Sequence, residues 1–220
     1  NGAYENFTFS PVLAYKISDK HSLSYFGSIY KDQRHFSLIS SFQTPTKYEN
    51  FSARNLIKWK TQVGHRSFEI DFAHWNENYQ YYQNINNKNY LDGIADTYFA
   101  KLFYQWKLTS YWNNSVQAEH KHSTGNSTEN PLKDIRQSIT NISWLHSIQV
   151  NETLKSEIGL KKEWSDVYDN PFLYSFALQW TPKDWTLSFS SNKNYRIPSF
   201  NDLFWEPGGN KNLKPETSIQ

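Results

Sequence analysis

Residues 172–190 read Phe172-Leu-Tyr-Ser-Phe-Ala-Leu-Gln-Trp180, Thr181-Pro-Lys-Asp184, Trp185-Thr-Leu-Ser-Phe-Ser190. Phe172, Tyr174, Phe176, Leu178 and Trp180 recur at every second position. Trp185, Leu187 and Phe189 do the same, opposed by Thr186, Ser188 and Ser190. A strand sends alternate side chains to opposite faces. This stretch therefore predicts two strands joined by a short turn, each with one bulky apolar face and one small or polar face. Trp180 and Trp185 would flank the turn.

Working outward, the period of two recurs. Phe7, Phe9, Pro11, Leu13, Tyr15 and Ile17 alternate with smaller or polar residues, as do Tyr98, Ala100, Leu102, Tyr104, Trp106 and Leu108. Weaker runs lie near 23–30, 36–43, 51–60, 67–75, 115–122, 135–148 and 154–162. That makes about eleven strands, with a twelfth beginning near Glu216. No segment carries a helical stripe. Regularly spaced strands without helices mean a sandwich or a barrel.

Connection lengths favour the barrel. From the middle of the chain they alternate: 76–95 long, 109–113 short, 123–134 long, 149–152 short, 164–171 intermediate, 182–184 short, 192–215 long. Outer-membrane barrels have short periplasmic turns and long extracellular loops. Before residue 76 the connections all read as short. Several runs reach about 9–11 residues, enough for a tilted strand to cross a bilayer. Tyr111-Trp112 in a second short turn adds to the rings expected at a membrane boundary.

Composition agrees. The chain holds 9 Trp, 15 Tyr and 15 Phe, yet its mean hydropathy is −0.80. Many rings within a polar average suit a membrane boundary, where amphipathic side chains are favoured. A soluble, ring-rich carbohydrate-binding module is the rival. A net charge of +2 argues against a nucleic-acid surface. Cysteine is absent, which removes disulfides, thiolate metal sites and a cysteine nucleophile.

The last segment pairs two elements. The first is Arg196-Ile-Pro-Ser-Phe-Asn-Asp-Leu-Phe-Trp205; the second is Gly209-Asn-Lys-Asn-Leu-Lys-Pro-Glu216. Pro198 and Pro215 withhold backbone donors and push the preceding residue toward extended geometry. Asn201 and Asn210 are suited to bonding local backbone. The pair resembles the β-barrel segment of TonB-dependent outer-membrane receptors. The wording of the first element is most similar to the cobalamin-receptor-like branch, although siderophore and haem receptors share much of it.

That resemblance implies an all-β, antiparallel, up-and-down transmembrane barrel, with residues 1–220 supplying about half of its 22 strands as one domain. The family's plug domain has no match in this chain, and the chain is expected to be a piece truncated at both ends. The implied function is binding of a scarce, large nutrient (cobalamin-like or siderophore-like) at the cell surface. Import would then be driven by the TonB complex acting through the plug. The implied location is the outer membrane of a Gram-negative cell, with lipid, nutrient and TonB complex as partners. A passive porin or adhesin barrel is a second rival.

Within the motif, Arg196, Pro198, Ser199, Phe200, Asn201, Leu203, Gly209, Asn210, Leu213, Pro215 and Glu216 are expected to shape the backbone rather than touch ligand. Tyr79, Tyr81, Tyr82 and Tyr90, in the long 76–95 loop, and Trp205 are the candidates for ligand contact by stacking and hydrogen bonding. No nucleophile elbow, phosphate loop or zinc-protease signature is present, so no enzyme and no cofactor is expected. His120 and His122 share a face but lack a third ligand. Glu77, Asp92 and Asp96 suit calcium as oxygen donors but lack the spacing of a dedicated loop. No metal site is expected. Arg54, Lys58 and Lys60 share one face of one strand, and Glu69 and Asp71 share one face of the next. A hairpin at Gly64 would set these charges against each other.

Overall fold

A computed structural model describes residues 2–38, 44–128, 134–199, 202–203 and 208–220. The strands are β1 (Tyr4–Phe9), β2 (Val12–Lys16), β3 (His21–His35), β4 (Lys47–Val63), β5 (Arg66–Tyr82), β6 (Leu91–Thr109), β7 (Trp112–Ser127), β8 (Ile135–Gln149), β9 (Leu154–Ser165), β10 (Leu173–Trp180), β11 (Leu187–Arg196) and β12 (Glu216–Ile219). They form one 12-stranded antiparallel sheet in which β1 and β2 both pair with β3, and from β3 to β12 each strand pairs with the next in sequence. There is no second sheet to pack against it among the described residues. The described residues thus form one open sheet rather than a two-sheet sandwich.

Leu203 is the one buried hydrophobic residue among those described. Phe72 is 59% exposed, Leu102 48% and Phe189 60%. Residues directly opposite across a ladder share a face. One such row is Leu23–Trp59–Ile70–Leu102–Ala118–Ile142. The adjacent row, on the other face, is Ser24–Lys58–Asp71–Lys101–Glu119–Asn141–Glu163. A wide sheet with one uncovered apolar face and one charged face is stable where the first meets lipid and the second a hydrated lumen. Among the described residues no helix is long and apolar enough to cross a membrane; the strands supply the crossing.

The turns set the register. Gly64 occupies the first central position of the two-residue turn between β4 and β5 with φ +56°, where a Cβ would be strained. From that turn, Lys58 pairs with Asp71 and Lys60 with Glu69, as the hairpin expectation required. Lys101 of β6 completes a four-charge square: Lys58 to Glu69 3.0 Å and to Asp71 3.6 Å, Lys101 to Glu69 3.1 Å and to Asp71 2.8 Å.

Several expectations are corrected. The run 7–17 is two strands, because the Ser10-Pro11 step interrupts pairing with β3; the Pro11 carbonyl still accepts from Gly27 N–H at 2.9 Å. β1 and β2 thus fill one position in the sheet. The strand expected at 36–43 is absent over 36–38, and 39–43 lie outside the described residues. The connection there is 36–46, so the early connections are not all short. Long connections at 36–46, 83–90, 128–134, 166–172 and 197–215 alternate with short ones at 17–20, 64–65, 110–111, 150–153 and 181–186 along the whole chain. The long connections after β5 and β7 are briefer than expected, because the paired strands continue past the apolar band. Phe172 and Trp185 fall just outside β10 and β11.

Rings gather toward the short-turn end of the apolar face. Tyr104 stacks on Trp106 with centroids 5.2 Å apart, Trp59 meets Phe68 edge-on at 5.9 Å, and His146 lies 5.4 Å from Trp144 and 5.6 Å from Trp112. Such rings belong at a membrane–water boundary.

Candidate functional site on the polar wall

Toward the long connections, β3 to β7 extend beyond the apolar band. β5 and β6 hold 17 and 19 residues, against the roughly 9–11 that cross a bilayer. On their polar face three rows come together: Tyr30–Ser52–Glu77–Ala95–Gly125, Asp32–Asn50–Tyr79–Gly93–Ser127 and Arg34–Tyr48–Tyr81–Leu91. These rows border a concavity of about 490 Å³ lined in part by Tyr30, Tyr48, Asn50, Arg54, Glu77 and Tyr79.

The rings of this wall are ordered by their neighbours. Tyr48 and Tyr79 stack with centroids 5.6 Å apart and planes 12° apart, and Tyr48 also meets Tyr81 at 6.5 Å. The Arg34 guanidinium lies 6.0 Å from the Tyr48 centroid and 5.4 Å from that of Phe36. Asn50 Nδ2 donates to Asp32 Oδ1 at 2.7 Å, holding a carboxylate that is 4% exposed. Arg54 reaches Glu77 at 2.7 Å. Gly93 is required where it stands, because a Cβ there would enter the ring of Tyr79. The wall thus offers tyrosine faces and hydroxyls, the Arg54 guanidinium and amides to one open hollow, with the Arg34 guanidinium on the same face of the sheet. Such a surface can hold a large, oxygen-rich ligand by stacking and hydrogen bonding.

The sequence candidates separate. Tyr79 and Tyr81 lie on β5 rather than in a loop and share its lumen face, and Tyr79 lines the hollow. Tyr82 has the opposite parity. Its ring lies 5.3 Å from Tyr90, with Lys47 Nζ 4.1 Å from its centroid. Trp205, Phe200 and Asn201 lie outside the described residues. Tyr30, Tyr48, Arg34 and Asn50 were missed, since Tyr30 and Arg34 lie on β3, whose partner the pattern did not give, and Tyr48 and Asn50 lie on the part of β4 outside the run read at 51–60. The i, i+2 tyrosines at 79 and 81 were the available signal.

No group of His, Asp or Glu among the described residues is placed to hold a metal. His120 and His122 each turn to a separate hydroxyl, Thr140 Oγ1 and Ser138 Oγ, both at 2.8 Å. Glu77 faces the lumen, while Asp92 and Asp96 have the other parity. These three carboxylates cannot converge.

The two motif elements meet. Ser199 Oγ and N–H both donate to Asp202 Oδ2 at 2.8 Å, Asp202 N–H donates back to Ser199 Oγ at 3.2 Å, and Leu203 N–H reaches Ser199 O at 3.1 Å. This reciprocal cap starts a helical turn. The Ser199 amide and hydroxyl, with the Arg196 cation beyond, hold the Asp202 carboxyl below its ordinary range. Arg196 pairs in register with Glu216 and lies 3.8 Å from Asp202 and 4.0 Å from Glu216. Asn210 N–H donates to Asp202 O at 2.9 Å, and Leu213 N–H to Asn210 O at 3.2 Å. Pro198 and Leu213 line a small hollow with Arg196 and Glu216. Gly209 is exposed, and Pro215 is half-buried just before β12.

Comparison with known proteins agrees with this architecture. A family described as TonB dependent receptor-like, beta-barrel, matches residues 2–220. The vitamin B12 transporter BtuB of Vibrio vulnificus is 31% identical over 64 residues, which are 29% of this chain and 10% of that protein. The ferric enterobactin receptor PfeA of Pseudomonas aeruginosa superposes with a TM-score of 0.82 at 12% identity, covering 99% of this chain and 39% of the receptor. The siderophore receptor PirA of Acinetobacter baumannii gives 0.78 at 12% identity, covering 99% of this chain and 40% of the receptor. The chain therefore spans about two-fifths of the receptors whose fold it shares. These relatives are receptors and transporters of the outer membrane, not enzymes. One uninterrupted antiparallel sheet, an apolar face open to lipid, alternating connection lengths and a family match over nearly every residue lead to one conclusion: the chain belongs to the TonB-dependent receptor family, as part of its outer-membrane β-barrel.

Proposed function

We propose that residues 1–220 form a single wall, about half of a 22-stranded barrel, of a receptor that binds a scarce, large nutrient at the cell surface and imports it with energy from the TonB complex. The observation that carries this is the tyrosine and guanidinium wall beside the long connections, on the lumen face of a barrel of this family. The nutrient is cobalamin-like or siderophore-like. BtuB transports vitamin B12 and PfeA receives ferric enterobactin, and both chemistries present the broad polar surfaces that stacked tyrosines and arginines suit. Tyr79 and Tyr81 contact the ligand in this reading, with Tyr82, Tyr90 and Trp205 as outlying contacts. The motif residues from Arg196 to Glu216 brace the connection before β12.

Growth tests this directly. A strain lacking the receptor should lose growth on limiting vitamin B12 or on limiting iron supplied as a ferric catecholate, and the intact gene should restore it only when TonB is present. Restoration without TonB would replace this reading with a passive porin. No growth defect on any nutrient of either class would remove it.

A further inference from the structure

The side chains beside the hollow form a succession that runs from β3 to β6 and ends on a glycine. The Arg34 guanidinium on β3 lies over the ring of Tyr48 on β4, 6.0 Å from its centroid. Tyr48 stacks on Tyr79 of β5, with planes 12° apart. Tyr79 in turn lies across Gly93, its partner on β6. A Cβ at Gly93 would stand 2.7 Å from Tyr79 Cζ and 2.9 Å from Tyr79 Oη. Carbon atoms in contact prefer about 3.5–4.0 Å. A side chain at 93 and the ring in its present place therefore exclude one another.

The backbone does not call for glycine here. Among the described glycines only Gly64 has a positive φ. Pairing runs through Gly93 without a break, with Tyr79 on one side and Ser127 on the other. Glycine weakens a strand interior, because it costs more backbone entropy and brings nothing to pack. Gly93 is the one glycine of β6. Leu91, Ala95 and Thr97, its neighbours on the same face, all carry a Cβ, and two of them stand opposite rings, Leu91 opposite Tyr81 and Thr97 opposite Trp75. A ring on β5 thus does not by itself need glycine across from it. What needs it is a ring laid across the next strand.

Gly125, on β7 and on the same hollow, supplies the contrast. A Cβ there would meet nothing closer than Ile135 Cβ at 4.0 Å. Of these two glycines, one is covered by a ring of the wall and the other is open. Tyr48 holds Tyr79 through its stack, and the bare backbone of Gly93 lets the ring lie down along the sheet. In that place the ring borders the concavity of about 490 Å³ without standing in it. A ring lifted off Gly93 would swing into the hollow and leave its stack on Tyr48.

We propose that Gly93 is a positioning residue for nutrient binding: it acts through Tyr79, keeping that ring flat against the wall and in stack with Tyr48, so that the hollow stays open to a broad ligand. This rests on the reading of the hollow as the nutrient site. The test uses the full-length receptor in detergent. With a fluorinated tyrosine at position 79, the fluorine resonance should shift in Gly93→Ala and keep its wild-type position in Gly125→Ala. Binding is then read by titration calorimetry with vitamin B12 and with ferric enterobactin. For the probe that wild type binds, Gly93→Ala should lower affinity about tenfold. In a Tyr79→Ala background the same change should alter affinity by less than about twofold, because the ring it acts through is gone. Should Gly93→Ala fail to fold, Gly93→Ala with Tyr79→Ala should fold, since the clash goes with the ring. Failure of both to fold would show that the glycine serves the backbone, and would overturn the proposal. An unmoved resonance in Gly93→Ala, or losses at 79 and 93 that simply add, would overturn it too. A shifted resonance with binding of neither probe, or with an affinity indifferent to Tyr79→Ala, would instead remove the hollow as the nutrient site and leave the hold of Gly93 on Tyr79 standing.

Discussion

Two patches on the same face of the same strands differ in how their polar groups are used. The square of Lys58, Glu69, Asp71 and Lys101 spans β4 to β6 near mid-strand and closes on itself: each cation reaches both carboxylates. Further along the same strands, Tyr48 stacks on Tyr79 and meets Tyr81 at a tilt, Arg34 lies over Tyr48, and Arg54 pairs with Glu77 beside an open hollow. The first patch spends its charges on itself, and its unpaired oxygen, Asp71 Oδ1, is buried. The second is ordered by ring contacts, which leave faces and hydroxyls unspent. Register alone decides which residues fall into which patch, so the Gly64 turn that fixes it serves both.

The sharpest way to break this comparison is to open the square. Asp71→Asn leaves two ammonium groups facing one carboxylate. Because the Asp71 side chain is only 6% exposed, the variant should lower receptor stability by about 2 kcal/mol, read as the urea midpoint of the refolded receptor in detergent. Adding Lys101→Met should recover part of the loss, since the surplus cation goes with it. A single variant as stable as wild type would mean that the square contributes no stability.

A smaller effect separates the two faces. Tyr79→Ala should weaken nutrient binding about tenfold while leaving folding intact, whereas Tyr82→Ala, on the opposite face of the same strand, should stay within about twofold of wild type. Titration calorimetry with the nutrient found by growth would check both. Equal losses at the two positions would show that face does not decide contact.

The smallest effect concerns a carboxylate held by backbone and hydroxyl rather than by lysine. Asp202 titrates below its ordinary range when folded. Its contribution to the 199–203 turn is therefore complete above the unfolded value and is lost as pH falls through the folded one. Amide exchange at Ser199 and Leu203 should stay slow down to mildly acidic pH and quicken only below that. Asp202→Asn should remove the pH dependence. A turn that loosened near neutrality would contradict the cap.

Alternation made the crossing portions of β4, β6, β8, β10 and β11 legible, because lipid on one side and water on the other force a period of two. It failed where strands leave the membrane. His74, Asn76, Asn78 and Gln80 occupy the outward positions of β5 beyond Phe72. With water on both sides no apolar face is needed, so a paired strand looked like a loop. The same blindness hid Tyr48 and Arg34, whose nearness to Tyr79 follows from pairing across strands and from nothing local. At 36–38 the error ran the other way, as Phe36 and Leu38 mimicked alternation where the chain forms no strand. The junction of Arg196, Asp202 and Glu216 was foreshadowed by the motif, yet its cap geometry needed coordinates.

Connection length also bears on how the wall is assembled. From β3 onward every strand pairs only with its neighbours in the chain, and β1 and β2 both pair with β3, so no contact has to wait for a distant segment to arrive. The turns at 64–65 and 110–111 close the shortest loops and cost the least entropy, which favours β4–β5 and β6–β7 as the first hairpins to zip. The long connections then join finished hairpins into a growing sheet, with 197–215 the costliest closure in the described chain. Its internal cap and Arg196–Glu216 contact shorten the span that must be ordered at once, so the motif at that connection serves as a folding guide for the arrival of β12.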